Sequence, residues 1–223
     1  MTILQLAPVY VSWTSKVTDN EGQAVIDGVA DVIKVSKIDR EIKVFGSTTW
    51  AEGNYGCADW YQDRSRFQRS FGKSTWTQIG LTKLHWLLTS EPWQKQQPHT
   101  DIMIVDEDIC DEYDPNLYFL FGAESMGNYV QSVFRFREGE SDEQIRLQLI
   151  RRTARHEFGH TYGLPSVGRR NTVEFLGPHC KNVCSMRQGS NVMDWRKLYL
   201  EEESAGVIFC RDCLKDLEKF RKR

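Results

Sequence analysis

The stretch SDEQIRLQLIRRTARHEFGHTYG, residues 141–163, is the most strongly patterned segment of the chain. Ser141 and Gln144 have the spacing of a capping box, which marks the start of a helix. Gly163 is a residue type that commonly ends helices. The pattern therefore predicts one long helix over residues 142–162.

One face of this predicted helix ends in two histidines. The residues of that face follow one another at helical spacing and therefore share one side of the helix. They are Ile145, Leu149, Thr153, His156 and His160. Imidazoles one turn apart can bind one zinc ion together, at about 2.0–2.1 Å from each nitrogen. Glu157 stands beside the first histidine and can act as general base on a water held there. The alternative is that the two histidines only pack or hydrogen-bond in the core.

A catalytic zinc site needs a third protein ligand and an open position for water. His179 is the one histidine after His160, and Gly163 can turn the chain back toward the first two ligands. Closing the fifteen-residue loop before His179 has a tolerable entropic cost. We therefore predict His179 as the third ligand. The alternative is a carboxylate, Glu174 or Asp194.

Four of the six cysteines form two close pairs near the C-terminus, Cys180 with Cys184 and Cys210 with Cys213. Without a secretion signal, such pairs indicate a tetrahedral metal site before they indicate disulfides. Thiolates suit a closed structural zinc site, which contributes folding free energy. We therefore predict two zinc ions per chain, one catalytic and one structural. Four ordinary buried thiols are the alternative.

The composition is that of an ordinary globular chain. Its formal net charge of -2 gives no electrostatic reason to expect nucleic acid as a partner. No apolar run approaches the roughly 18 residues that span a bilayer, so we expect no membrane segment. Residues 1–11 lack the features of a secretory signal, so we expect a cytoplasmic location. We expect a monomer with a single domain, 1–223, divided into an N-terminal subdomain, about 1–163, and a C-terminal one, about 164–223.

Hydrophobic periodicity elsewhere predicts a mixture of strands and helices. Helices are predicted for residues 21–35, 74–88 and 210–223. Strands are predicted for residues 3–13, 41–46, 101–105, 117–121 and 130–136. The expected fold class is α+β, with a C-terminal part that is mostly irregular and held by metal.

The motifs together resemble those of the archaemetzincins, a branch of the metzincin zinc peptidases. The family pattern is H-E-x-x-H-x-x-G-x-x-H with a cysteine directly after the third histidine, then C-x-M and C-x-x-C. The corresponding residues here are His156-Glu157, His160, Gly163, His179-Cys180, Cys184-Ser185-Met186 and Cys210-x-x-Cys213. The resemblance covers roughly residues 155–214, and residues 117–123 are similar to the family's edge-strand segment.

The resemblance implies a metzincin-like fold. Its parts are a mixed, mostly parallel sheet with an antiparallel edge strand, a long active-site helix and a zinc-stabilised C-terminal part. It implies a zinc metalloprotease, with aminopeptidase-like action on a peptide substrate. His156, His160 and His179 would bind the catalytic zinc, and Glu157 would be the base. Cys180, Cys184, Cys210 and Cys213 would bind the structural zinc.

The resemblance also implies a Met-turn beneath the catalytic site. Met186 is the favoured residue, because the adjoining Cys184 fixes its register. Met193, within the segment NVMDW, is its competitor.

The largest departure from the family pattern is the spacing before His179, which is fifteen residues here and two in the family. A second functional hypothesis follows from this departure. In it, the chain is a non-catalytic zinc protein with a metzincin-like scaffold, and the same ligands serve structure or interaction.

Overall fold

A computed structural model of the chain describes residues 7–47, 57–71, 73–114 and 116–222. Residues 3–6 of the first predicted strand lie outside that part of the chain.

The contacts divide the chain into two compact units. The sheet unit consists of Ala7–Gly22 and Glu41–Arg135. The helical unit consists of Gln23–Arg40 and Phe136–Arg223. The division of a single domain near residue 163 stays a prediction.

The sheet unit contains two sheets and short helices. Its strands are β1 (Val9–Trp13), β2 (Ile42–Gly46), β3 (Arg66–Phe71), β4 (Ser74–Gly80), β5 (Thr100–Val105), β6 (Ile109–Cys110), β7 (Gly122–Ser125) and β8 (Asn128–Ser132). Helix α1 (Asp19–Ser36) begins in this unit and continues in the helical one. Helices α2 (Ala58–Ser65), α3 (Leu81–Thr89) and α4 (Pro92–Gln96) follow.

The main sheet has the strand order β2-β1-β5-β8-β7. Pairing is parallel from β2 to β8, and β7 pairs antiparallel with β8 at the edge. Side chains of the central strands, such as Val11 and Ile104, are fully buried, as expected for a parallel sheet covered on both faces. The predicted α+β class with an antiparallel edge strand is confirmed.

The second sheet has the order β3-β4-β6. One of its strands lies where a helix was predicted. Residues 74–88 were expected to be helical throughout, but Ser74–Gly80 pairs antiparallel with β3. Its β-branched and aromatic residues suit a pleated strand. The helix begins only at Leu81, where the Glu112 carboxylate accepts hydrogen bonds from the first helical amides.

Two strand predictions also need correction. The strand predicted for residues 117–121 is wrong, because Leu120 forms only a single bridge with Ile109 and the regular strand starts at Gly122. Strand β8 ends at Ser132, because the Ser132 hydroxyl accepts a hydrogen bond from the Phe134 amide and the next helix begins at Phe134. The predictions of helix 21–35 and of strands 41–46 and 101–105 are confirmed within two residues.

The helical unit contains helices and one hairpin. Its elements are most of α1, most of α5 (Phe134–Gly139), and then α6 (Glu143–Thr161), β9 (Thr172–Glu174), β10 (Pro178–Cys180), α7 (Val192–Ala205) and α8 (Arg211–Arg221). Helix α7 lies in a segment that was expected to be irregular, and that expectation is wrong. Asn191 caps α7 by accepting a hydrogen bond from the Asp194 amide, and Gly206, at φ 62°, ends it. None of the described helices is long and apolar enough to cross a membrane.

Helices α1 and α6 approach each other closely within the helical unit. A Cβ atom at Gly28 would lie 2.4 Å from the main-chain oxygen of Arg151. Asp31 of α1 accepts hydrogen bonds from Arg151 at 2.8 Å and from Arg155 at 2.7 Å. These contacts fix the position of α6 just before its histidines.

Candidate metal centre

Helix α6 begins after Asp142, whose carboxylate accepts a hydrogen bond of 3.1 Å from the Ile145 amide. The N-cap is therefore Asp142, not Ser141, and the predicted capping box is wrong by one residue. Asp142 is the better cap here because its carboxylate is favoured at the positive end of the helix dipole. The predicted extent of the helix is confirmed within one residue at each end.

The structure brings His156, His160 and His179 together. One ring nitrogen from each lies within 4.8 Å of the other two. The Nε2 atoms of His156 and His160 are 3.2 Å apart. Two nitrogens bound to one zinc at about 2.05 Å in tetrahedral geometry would be about 3.3 Å apart, so this pair fits a shared ion.

A β-hairpin carries His179 to the other two histidines. Most of this hairpin belongs to the fifteen residues that separate Gly163 from His179. Within it, His179 on β10 pairs with Val173 on β9. Gly177 forms its turn at φ +101°, a conformation that L side chains rarely adopt. The loop expected from the sequence therefore contains a short two-stranded sheet.

Each of the three imidazoles is oriented by a main-chain carbonyl. His156 donates from Nδ1 to the Ser185 carbonyl at 2.8 Å, and His179 donates from Nδ1 to the Gly177 carbonyl at 3.0 Å. The carbonyl of Leu164 is the hydrogen-bond partner of His160. Such bonds fix the ring orientation and tautomer of metal-binding histidines.

The electrostatics of the cluster keep its imidazoles uncharged. Burial, and then the other rings, lower the pKa of His156 well below its usual range. Burial lowers the pKa of His160 to about 4 and also lowers the pKa of His179. Because only unprotonated imidazole binds a metal, the three side chains fit a zinc ion.

Glu157 follows His156 on the same helix and is only 6% exposed. The two carboxylates considered as alternative third ligands do not share the buried environment of Glu157. Glu174 is exposed on β9, and the Asp194 carboxylate accepts hydrogen bonds from Ser190 and Asn191 at the start of α7.

Met186 is fully buried beneath the helix of the two histidines. A Cβ atom at Gly159 would lie 2.5 Å from its sulfur, so the two residues are in close contact. The competing Met193 is 67% exposed. The packing thus favours Met186 as the Met-turn residue.

The four cysteines of the two close pairs also converge. Their sulfur atoms all lie within 4.8 Å of one another. Cys180 and Cys210 are separated by 3.7 Å, and Cys184 and Cys213 by 3.5 Å. Sulfurs around one zinc at about 2.3 Å would be about 3.8 Å apart, so these separations fit tetrahedral coordination.

Hydrogen-bond donors surround these sulfurs. Cys184 accepts from the Cys210 amide at 3.3 Å, Cys213 from Arg169 at 3.2 Å, and Cys210 from Asn182 at 3.3 Å. Donors of this kind stabilise the negative charge of thiolates.

A buried ion pair that the sequence analysis did not single out supports both clusters. Arg152 is fully buried and pairs with Glu202 at 2.7 Å. Arg152 also donates to the carbonyls of Cys184 and Arg187, and Glu202 accepts from the Ser185 hydroxyl at 3.0 Å. The available signal was the position of Arg152, one turn before His156 on a helix face that is otherwise mostly apolar.

Comparison with known proteins places these features in context. No family model matches the chain. Archaemetzincin of Archaeoglobus fulgidus is 28% identical over 103 residues, which are 46% of this chain. The match spans about half of that relative, 52% of its length. The crystal structure of archaemetzincin from Methanopyrus kandleri covers 100% of this chain and 99% of its own at 17% identity, with a TM-score of 0.61. The structural likeness shows the fold, and the resemblance predicted from the motifs is confirmed.

Proposed function

From its resemblance to the archaemetzincins in sequence and in fold, we propose that this chain is a zinc-dependent metallopeptidase. The observation that carries the proposal is the convergence of three uncharged, largely buried imidazoles, two of them on the helix that also carries Glu157.

We assign the catalytic zinc to His156, His160 and His179. Their hydrogen bonds to main-chain carbonyls hold the rings in place and direct the remaining ring nitrogens toward one another. When bound, zinc supplies a Lewis acid that polarises a peptide carbonyl and lowers the pKa of water to about 7.

Glu157 is the proposed general base. Its carboxylate takes a proton from the attacking water and returns it to the amine that leaves. Its position next to His156 and its low exposure support this role.

Cys180, Cys184, Cys210 and Cys213 are the proposed ligands of a second, structural zinc. Four protein ligands leave no position for water, which is typical of structural rather than catalytic sites. The donors from Arg169 and Asn182 offset the negative charge that four thiolates carry.

The proposed substrate is a peptide with a free N-terminus, cleaved in an aminopeptidase-like reaction. Paired peptides with a free or an acetylated N-terminus test this specificity, because an aminopeptidase hydrolyses only the free form.

We also propose a monomer located in the cytoplasm. Light scattering of the purified protein tests the oligomeric state, and cell fractionation tests the location.

The first experiment is to measure the zinc content of the purified protein by mass spectrometry. We expect two zinc ions per chain, one after His160→Ala and one after Cys213→Ser. Hydrolysis of a peptide library should stop with a chelator and return with zinc. Full zinc content without hydrolysis of any peptide would favour the non-catalytic zinc protein.

A further inference from the structure

The sheet unit contains a cavity of about 260 Å³ that plays no part in the proposed peptidase site. All of its lining residues belong to the sheet unit. Those that matter here combine aromatic rings with ionisable groups: Tyr10, Phe45, Tyr61, Glu91, His99 and Asp101.

Three of these side chains converge as metal ligands do. One carboxylate oxygen each of Glu91 and Asp101 and one ring nitrogen of His99 lie within 4.8 Å of one another. Ligands bound to one ion at about 2.0–2.2 Å are at most about 4.4 Å apart. A movement of a few tenths of an ångström would therefore let all three bind a single ion. Glu91 and His99 are only 2% and 1% exposed.

Each of the three groups is held by a second residue. Tyr61 donates from its hydroxyl to Oε1 of Glu91. Gln94 donates to Oδ2 of Asp101 at 2.6 Å, and His99 donates from Nδ1 to the Gln97 carbonyl at 2.6 Å. This arrangement is the one that orients metal ligands in proteins, with one atom of each side chain fixed and another left to bind.

The second carboxyl oxygen of Glu91 lacks a partner among the described residues. Within the described part of the chain, Oε2 of Glu91 is buried and has no hydrogen-bond partner. Nε2 of His99 faces Oδ1 of Asp101 at 3.1 Å. An ion pair between His99 and Asp101 would account for that contact but would leave the Glu91 oxygen buried and unpaired. A buried carboxyl oxygen without a hydrogen-bond partner is unfavourable.

We propose that Glu91, His99 and Asp101 bind a divalent first-row transition-metal ion. One imidazole with two carboxylates is a ligand set that such ions accept, and a divalent charge neutralises both carboxylates. The Tyr10 ring stacks on His99 at 4.2 Å between centroids and so restricts its orientation. The cavity leaves room beside the ion for water or a small ligand.

Mn²⁺ is the probe for this site. It is the weakest binder in the divalent series and does not displace zinc from nitrogen and sulfur ligands. Protein carrying its full zinc content is titrated with Mn²⁺, and free Mn²⁺ is measured by electron paramagnetic resonance. We expect the wild type to bind one Mn²⁺ per chain, and Glu91→Gln and Asp101→Asn each to weaken that binding at least about tenfold.

Glu124→Gln is the matched control, because Glu124 is a carboxylate of the same unit that accepts from the Gly127 amide and does not line the cavity. It should bind Mn²⁺ as the wild type does. A rise in the thermal unfolding temperature of the wild type with Mn²⁺ tests the site without any variant. No Mn²⁺ binding by the wild type, or equal binding by Glu91→Gln and Asp101→Asn, would overturn the proposal. The result does not depend on whether the chain is a peptidase.

Discussion

The main-chain carbonyl of Ser185 accepts a hydrogen bond of 2.8 Å from Nδ1 of His156. Ser185 follows a cysteine of the four-cysteine cluster and precedes the buried Met186. One turn of the chain therefore connects the two candidate zinc sites, and the Arg152–Glu202 pair holds that turn from the other side.

Replacing Glu202 should weaken both stability and zinc binding. Glu202→Gln removes the charge that balances the fully buried Arg152, and breaking a buried pair in this way costs about 3–5 kcal/mol. Loss of support for the ligands should weaken zinc binding by about 10- to 100-fold. Denaturant unfolding and competition with a chelator measure the two effects. Glu201→Gln, whose more exposed carboxylate pairs with Arg187, is the control and should change little.

Adding one methyl group at Gly159 should disturb the packing of helix α6 against Met186, beneath the two histidines of that helix. Gly159→Ala places a Cβ atom 2.5 Å from the Met186 sulfur. Overpacking costs about 1–3 kcal/mol, which exceeds the gain of up to about 1 kcal/mol in helix propensity. The double variant with Met186→Ala provides the test, because removing the sulfur should abolish the penalty of Gly159→Ala. An equal penalty in both backgrounds would show that the two side chains do not conflict.

His179 should be required for zinc at the catalytic site, whereas the carboxylate alternatives should not. His179→Ala should reduce zinc affinity by more than the roughly 10- to 100-fold typical of residues that only support ligands. Glu174→Gln and Asp194→Asn should keep the wild-type zinc content. Zinc titrations with a colorimetric chelator measure all three. Loss of zinc from Glu174→Gln with retention in His179→Ala would assign the third ligand to the carboxylate.

Stability should fall in mild acid because of His85, a buried histidine of the sheet unit. Burial lowers its pKa to about 4, whereas the unfolded imidazole has a pKa of about 6.5. Between these values the unfolded chain binds more protons, so stability decreases as the pH falls from about 6.5 to about 4, by about 3 kcal/mol. Unfolding free energies of wild type and His85→Gln, followed from pH 7 to pH 4, measure the difference. If the unfolding free energies of the two proteins fell in parallel with pH, His85 would not be the cause of the loss. Any release of zinc affects both proteins alike and cannot produce a difference between them.

The residue spacing predicted the long helix with its two histidines and the four-cysteine cluster, and His179 was predicted because it is the one histidine that follows His160 in the sequence. Helix α6 was predictable because its hydrophobic period, acidic start and final glycine agree with one another. The cysteines were predictable because few structures other than a metal site use two such close pairs.

Other parts of the fold depend on partners that are distant in the sequence. Strand β4 was mistaken for a helix because its short apolar pattern is ambiguous until it pairs with β3. The hairpin of β9 and β10 has three residues in each strand, too few for a periodic signal. Asn191 did offer a capping signal for α7 that was overlooked. The position of Arg152 on its helix face was a signal of burial, but its partner Glu202 is fifty residues away and could not be identified from local spacing.

The central claim is tested most directly by the turnover of Glu157→Gln. With its full zinc content, the wild type should hydrolyse peptides with a free N-terminus. The variant should retain the same zinc content and fold, and lose about 100- to 10,000-fold in rate, as expected when a general base is removed. Hydrolysis by Glu157→Gln at the wild-type rate would contradict the account.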